Sequence, residues 1–296
     1  YCVSPDTPIL TAALEWVRID SVRTGDKLRG FDENPGGKTG QWRKFRNALV
    51  EDISFIEKPC YRLDMEDGSS VVCSLDHMWL CRKSRKTRLE WVRTDKLFAS
   101  DGPLKPWKKK ANRWRKHDFA IVKPLDVWPR RTDFDAGYLS GIADGEGWIT
   151  KYKHSTGASI GISQKAGLVM DKITSLLAAG GFDFKVGRYN EQPLMREASI
   201  QRRKAVLRFL GEYRPVRLLT TYATWPSLPS VPCSRTVRVI KRTDIGMRPV
   251  VAIQTSTRTF LANGFASHNC LKLPRWTEDK SRVHANWKYT RVPSGR

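Results

Sequence analysis

From Cys2 onward, apolar and polar positions alternate in short runs, closed by turn signals at Pro5-Asp6-Thr7, Thr24-Gly25-Asp26, Asn34-Pro35-Gly36-Gly37 and Asp67-Gly68. Period-two alternation bounded by Gly, Pro, Asn and Asp predicts half-buried strands joined by tight turns. From Phe134 the period changes. Phe134–Ala143 reads as a helix, and Trp148–Tyr152 and Ser159–Ser163 as strands around a Lys-His-Ser-Thr-Gly loop. Leu168–Ala179 carries Leu168, Ile173, Leu176 and Leu177 at helical spacing and stops at Gly180-Gly181. Strands are expected at Phe184–Tyr189 and Ala198–Gln201, about a loop containing Pro193, and a helix at Lys204–Tyr213, ending before Pro215. The order is αββαββα. Proline-rich Trp225–Pro232 closes this unit, and the β pattern returns at Thr236–Ile240, Val250–Thr255 and Thr259–Ala262.

The pattern therefore predicts a multi-domain chain in which an all-β domain is interrupted by an α/β insert, a change that a surface loop tolerates best. The β portion contains an internal echo. Leu14-Glu15-Trp16-Val17-Arg18 recurs as Leu89-Glu90-Trp91-Val92-Arg93, and each copy runs into an Asp-Lys-Leu turn, at 26–28 and at 95–97. A duplicated strand and turn fit a pseudo-symmetric fold built from two related halves. Residues 82–131 form a basic, Trp-rich stretch, ending in a linker marked by Pro124, Pro129 and Arg130-Arg131.

Charge narrows the partners. The 296 residues hold 53 Lys and Arg against 30 Asp and Glu, a net charge of +23. Such a field recruits polyanions, and with no apolar run long enough to cross a bilayer and no amphipathic anchor, nucleic acid is favoured over a membrane. Lys108, Lys109, Lys110, Arg113 and Arg115, interleaved with Trp107 and Trp114, are candidate phosphate contacts. Six cysteines at this length make no disulfide framework, and Cys60, Cys73, Cys81 and Cys233 lack metal-knuckle spacing. Cys60 and Cys73 are expected as small core residues in a reducing cytoplasm, microbial or phage-infected, which would leave Cys2 and Cys270 as free thiols.

Those two cysteines frame the chemistry. A Cys thiolate attacks a neighbouring carbonyl readily, and an Asn amide can cyclise onto its own main-chain carbonyl and cut the chain. Cys2 follows a single residue, and His268-Asn269-Cys270 closes the last β portion. With Tyr1 in place of an initiator Met, the chain is expected to be a piece of a longer translation product that excises itself.

The surrounding residues resemble the inteins. Cys2-Val3-Ser4-Pro5-Asp6-Thr7-Pro8-Ile9-Leu10 is similar to their N-terminal block, Val72-Cys73-Ser74-Leu75-Asp76-His77 to their second block, normally Thr-x-x-His, and Phe260 through Asn269 to their closing blocks. The resemblance implies a horseshoe-like all-β Hint domain at 2–128 and 231–269, with Tyr1 the last residue of one flanking extein and 270–296 belonging to the other. It implies that Cys2 attacks the Tyr1 carbonyl to form a thioester, helped by His77 with Ser74 as its hydrogen-bond partner. Cys270 then takes the acyl group by proximity, and Asn269, assisted by His268, cyclises to release the segment. No cofactor is needed for these steps. Two positions depart from the family: Ala252 stands where an Asp is common and Arg258 near the place of a His, with Thr255, Ser256 or Thr257 as substitutes.

The insert, at 132–230, has its own resemblance. Leu139-Ser140-Gly141-Ile142-Ala143-Asp144-Gly145-Glu146-Gly147 is similar to the LAGLIDADG motif of homing endonucleases. Small residues at Ser140, Gly141 and Ala143 would let two such helices pack. The match implies Glu146 as a ligand for Mg²⁺ or Mn²⁺, with Asp144 ordering the helix end. Gln164, in Ile162-Ser163-Gln164-Lys165, would join the active-site water network, and Lys204 falls near the catalytic Lys, with Arg202 or Arg203 as alternatives. No second motif is present, so the resemblance implies a homodimer cutting double-stranded DNA at an intein-free host allele. Candidate base readers are Lys151, Lys153, Lys185 and Arg188. Two other readings stay open: an insert that binds DNA without cutting it, and a Hint protein that cleaves without ligating.

Overall fold

A computed structural model describes residues 1–36, 43–83, 88–97, 119–151, 157–189, 192–225, 230–269 and 289–290. The chain divides into two compact units: Tyr1–Ala12, Trp16–Val127 and Val231–Arg296 form the first, and Ala13–Glu15 with Trp128–Ser230 the second.

The first unit is antiparallel β. Its strands are β1 (Cys2–Val3), β2 (Pro8–Leu10), β3 (Trp16–Arg18), β4 (Lys27–Phe31), β5 (Phe45–Met65), β6 (Ser70–Ser74), β7 (Met78–Lys83), β8 (Leu89–Arg93) and β9 (Phe119–Val122). The second unit contributes α1 (Phe134–Glu146), β10 (Gly147–Lys151), β11 (Ala158–Lys165), α2 (Leu168–Ala179), β12 (Lys185–Tyr189), β13 (Gln192–Ile200), α3 (Arg203–Tyr213) and α4 (Val216–Ala223). The chain then returns to the first unit through β14 (Thr236–Thr255), β15 (Thr259–Ala262) and β16 (Phe265–His268).

Two long strands organise the first unit. β5 and β14 pair over most of their length, with register shifts between Val239 and Lys241 and between Asp244 and Met247 that bend the ribbon. The polar, exposed run between Ile240 and Pro249 reads in the sequence as a break between two strands, yet the ladder continues through it. Backbone hydrogen bonds to β5 hold it where side-chain burial does not. The hairpin joining β5 to β6 turns at Gly68, whose φ of 80° falls in the left-handed region. Val3, Leu28, Leu63, Trp79, Ile121, Val251, Phe260 and Phe265 belong to one core beneath these strands. A satellite cluster gathers Cys2, Ile56, Cys60, Val250 and Ala252, with Tyr1 packed against it.

The sequence echo is also an echo in structure. Each copy is a strand followed by one 3₁₀ turn, Ile19–Ser21 after β3 and Thr94–Lys96 after β8. In each, an arginine grips the aspartate two residues on: Arg18 through Nε and Nη2 to Asp20, and Arg93 through the same atoms to Asp95. The copies diverge upstream, because Leu14 has φ 64° and its segment clusters with the second unit.

In the second unit the sheet order is β10-β11-β13-β12, all antiparallel, with α1, α2 and α3 packing on it. Asp133 caps α1 by accepting from the Ala136 amide. The αββαββα order holds, and a fourth helix, α4, follows. Pro215 reads in the sequence as a stop, but it stands at the N-cap of α4, where its missing N–H costs nothing. Leu218 and Tyr222, one turn apart, are the buried residues of α4. Among the described residues no helix is long and apolar enough to cross a membrane.

Candidate active site

β1 is held on both sides. Cys2 pairs with Ala252 on β14, and Val3 with Cys73 on β6. This wedge buries Cys2 and aims the Tyr1–Cys2 peptide at the end of β6. There the Cys2 amide donates to Ser74 Oγ at 3.1 Å, and Ser74 Oγ donates to Asp76 Oδ1 at 2.6 Å. Asp76 in turn receives a 2.9 Å hydrogen bond from Lys58 Nζ. Burial pushes the Asp76 carboxyl up, but the hydrogen bonds from Ser74 and Lys58 oppose it and hold the group below the usual carboxylate range. The nitrogen that would leave in an acyl shift therefore touches a hydroxyl backed by a fixed carboxylate.

His77 does not take the partner expected of it. Its ring Nε2 lies 2.6 Å from Ser267 Oγ, whereas Ser74 meets His77 only through its carbonyl, which accepts the His77 amide at 3.0 Å. The cause is the sheet: β16 pairs with β7 at Ser267–Trp79, which brings Ser267 beside the ring. His77 is buried, packs tilted against Trp79 with ring centroids 4.3 Å apart, and leaves Nδ1 without a hydrogen-bond partner among the described residues. Burial above all, joined by His268, pushes the imidazole well below its ordinary range, against the pull of Asp76. His77 is thus a neutral ring near pH 7.

At the other end, β15 and β16 form a hairpin that delivers His268 and Asn269. His268 Nδ1 lies 2.8 Å from the main-chain oxygen of Asn269, and its Nε2 lies 2.9 Å from Glu33 Oε1. The Asn269 side-chain amide donates to Thr255 O at 3.1 Å and reaches Thr255 Oγ1 at 3.4 Å. Of the three hydroxyl residues proposed to stand in for the family's missing groups, only Thr255 touches Asn269. Ser256 Oγ accepts from the Leu49 amide, and Thr257 Oγ1 donates to Thr259 O. Ala252 is fully buried beside Cys2, and Arg258 reaches Glu33 Oε2 at 3.6 Å. Tyr1 and His268 rings meet edge to face at 6.0 Å, so residues from the two ends are in contact. Cys270 lies outside the described residues.

The remaining thiols contrast with this. Burial pushes Cys60 up to about 11 and Cys73 up to about 12, so both stay protonated and inert.

In the second unit, Asp144 accepts from the amides of Val216 and Arg217 at 2.6 and 2.9 Å, so it caps α4 rather than its own helix. Both of its oxygens are occupied. Glu146, at the end of α1, is exposed and has no ion-pair partner among the described residues. Gln164 is half-buried and accepts from the Lys165 amide, while Lys204 sits half-buried in the first turn of α3. Of the alternatives to Lys204, Arg202 pairs with Asp183 at 3.2 Å and Arg203 donates to Ser230 O. The candidate readers divide between faces. Lys151 and Arg188 share a face with Ile160 and Ile162, while Lys185 shares the opposite one with Gly161 and Trp148. Lys153, Lys108, Lys109, Lys110, Arg113 and Arg115 lie outside the described residues. No group of three or more His, Cys, Asp or Glu that would hold a metal occurs among the described residues.

Comparison with solved structures finds inteins. A DnaB intein from Synechocystis sp. PCC 6803 is similar at 12% identity and TM-score 0.40, over 91% of this chain and 99% of that one. The MchDnaB-1 intein is similar at 12% identity and TM-score 0.35, over 90% and 99%. The gp41-1 intein is similar at 10% identity and TM-score 0.33, over 90% and 98%. No protein-family model matches the chain, and no curated protein does. At identities and TM-scores this low the likeness carries no argument about function, which rests on the residues.

Proposed function

We propose that the first unit is a self-splicing Hint element, an intein, and that the second is a LAGLIDADG endonuclease-like insert. One observation carries the first reading: the amide nitrogen of Cys2 and the main-chain oxygen of Asn269, the atoms that two opposite cleavages need, each have a dedicated polar partner, Ser74 and His268. The Cys2 sulfur gives up its proton and attacks the Tyr1 carbonyl, the bond from that carbonyl to the Cys2 nitrogen breaks, and the proton ends on the nitrogen, which Ser74 Oγ holds in place. Because His77 is neutral and bonded to Ser267, it contributes as a positioned hydrogen-bonding ring and not as a strong acid. Cys270 then takes the acyl group, and Asn269 Nδ2 attacks its own carbonyl while His268 Nδ1 steadies that oxygen. A downstream Cys favours ligation over cleavage alone, since a protein that only cleaves needs no second thiol.

The test separates the two ends. With foreign segments fused on both sides, Cys2→Ala should stop N-terminal cleavage and ligation while Asn269-dependent cleavage continues. Asn269→Ala should do the reverse. If neither variant changes the products, the reading fails.

For the insert, Glu146 is the residue that fits a divalent cation, which takes one or two carboxylates together with water and substrate phosphate. Such an ion would supply Lewis-acid stabilisation at the scissile phosphate. Asp144 is committed to α4, which leaves Glu146 as the motif's free carboxylate among the described residues, and cutting both strands takes a second copy. Gly137, Gly141 and Gly145, with Phe134 84% exposed, line the outer face of α1 and offer a close-packing surface for that copy. Mg²⁺-dependent cutting of an intein-free allele should vanish with Glu146→Gln. Binding without cutting by the parent chain would leave the insert as a DNA-binding module.

A further inference from the structure

We infer that Glu33 is a positioning residue for cleavage at Asn269: it holds His268 as a doubly protonated ring aimed at the Asn269 carbonyl, and Arg258 holds Glu33 in turn. The inference rests on the splicing reading above and deepens it. It begins with a count of donors. His268 places Nδ1 2.8 Å from the Asn269 main-chain oxygen and Nε2 2.9 Å from a Glu33 carboxylate oxygen. Both oxygens only accept, and a neutral imidazole carries one N–H. Only the imidazolium donates to both.

Glu33 is fixed for this task. Its own carbonyl accepts from the Trp91 indole at 3.3 Å and from Arg43 at 3.5 Å. The Trp91 ring also packs edge to face on His268 at 4.9 Å and 87°, which holds the imidazole plane in line with both acceptors. Arg258, where the intein family commonly has a histidine, places its guanidinium 3.6 Å from the other Glu33 oxygen. The amide of Asn269 donates to the Arg258 carbonyl at 3.0 Å, so the same residue anchors the scissile backbone and orients the carboxylate. A carboxylate–histidine pair, braced by an arginine, replaces the missing helper.

Among the described residues the groups facing His268 are few. Ser267 lies on its own strand, Thr259 opposite it on β15, Trp91 on β8, the Tyr1 ring before β1, and Glu33 after β4. Arg258 lies beyond Glu33 in the β14–β15 turn, and His77, whose charge state senses His268, lies behind Ser267. Glu33 is the one carboxylate among them, and it opposes the cations. In the step it serves, the Asn269 Nδ2–C bond forms and the bond to the Cys270 nitrogen breaks. The proton lost from Nδ2 ends on that nitrogen, and His268 stabilises the oxygen between. No other reactant is needed.

The experiment uses the full chain between foreign segments, in a Cys2→Ala background so that cleavage at Asn269 is read alone. Glu33→Gln should slow this cleavage at least tenfold at pH 7, with the alkaline limb of its pH profile moved to lower pH. Glu33→Asp should recover part of the rate. In the uncleavable Asn269→Ala chain, ¹⁵N NMR of His268 at pH 7 should show two protonated ring nitrogens, and one after Glu33→Gln. Equal rates, profiles and ring shifts in parent and Glu33→Gln would overturn the role of Glu33 alone. Absence of any Asn269-dependent cleavage from the parent would overturn the splicing reading with it.

Discussion

Ser74→Ala is the sharpest perturbation of the first step. In the parent, Ser74 Oγ accepts a hydrogen bond from the Cys2 amide at 3.1 Å and donates one to Asp76 at 2.6 Å. Alanine removes this acceptor from the Cys2 amide and this donor from Asp76. A hydrogen bond to a charged network contributes about 1.5–3 kcal/mol, because in a buried site no water replaces it. If that stabilisation belongs to the transition state, at about 1.4 kcal/mol per decade, thioester formation slows roughly ten- to a hundredfold. The assay is thiol- or hydroxylamine-induced cleavage after Tyr1 in an Asn269→Ala background, followed over time by intact mass. Ser74→Thr, which keeps the hydroxyl, should stay within a fewfold of the parent. A Ser74→Ala chain that cleaves at the parent rate, with its fold intact by circular dichroism, would refute the claim that this hydroxyl serves the leaving nitrogen.

Other consequences follow from the same contacts. Asp144→Ala removes the cap of α4 and should destabilise the second unit by about 1–2 kcal/mol, read by denaturant unfolding; no change would mean that the cap is dispensable. Asp67 accepts a 2.7 Å ion pair from Lys123, which is only 6% exposed. Burial pushes Asp67 up, but the hydrogen bonds from Lys123 and Ser69 win and hold it below its ordinary value. A depressed carboxyl stabilises above its unfolded pKa and loses that as pH falls through the folded one. Asp67→Asn should therefore cost about 2 kcal/mol at pH 7, and parent and variant should converge as pH drops below about 4. Stability curves that stay parallel to pH 3 would contradict the pairing.

The legible parts of this protein were those with local signals. Strand alternation, the helical spacing of Leu168–Ala179 and the Gly180-Gly181 stop come through directly, as does the doubled strand, while the Arg–Asp grip after each copy emerges only in the structure, at Asp20 and not at the Asp26 of the expected turn. The unread parts depend on contacts distant in sequence. Ser267 lies 190 residues from His77, and only the pairing of β16 with β7 makes it the ring's neighbour. Glu33 sits in an ordinary polar turn, with no periodicity to mark it. Asp144 matched a motif that assigns it to its own helix, and the cap it makes on α4 depends on where the chain resumes after Pro215. The exposed run in β14 hid a continuous strand, because backbone pairing leaves no hydrophobic trace.

The central claim is a covalent one: the residue before Cys2 becomes bonded to the residue after Asn269. Tandem mass spectrometry of the product from a chain fused between two foreign segments tests it at the bond itself. The account predicts a junction peptide in which Tyr1 is followed directly by Cys270, with the excised segment ending in a succinimide or asparagine at 269. Recovery of both flanking segments only as separate fragments, or as an unchanged precursor, would contradict it.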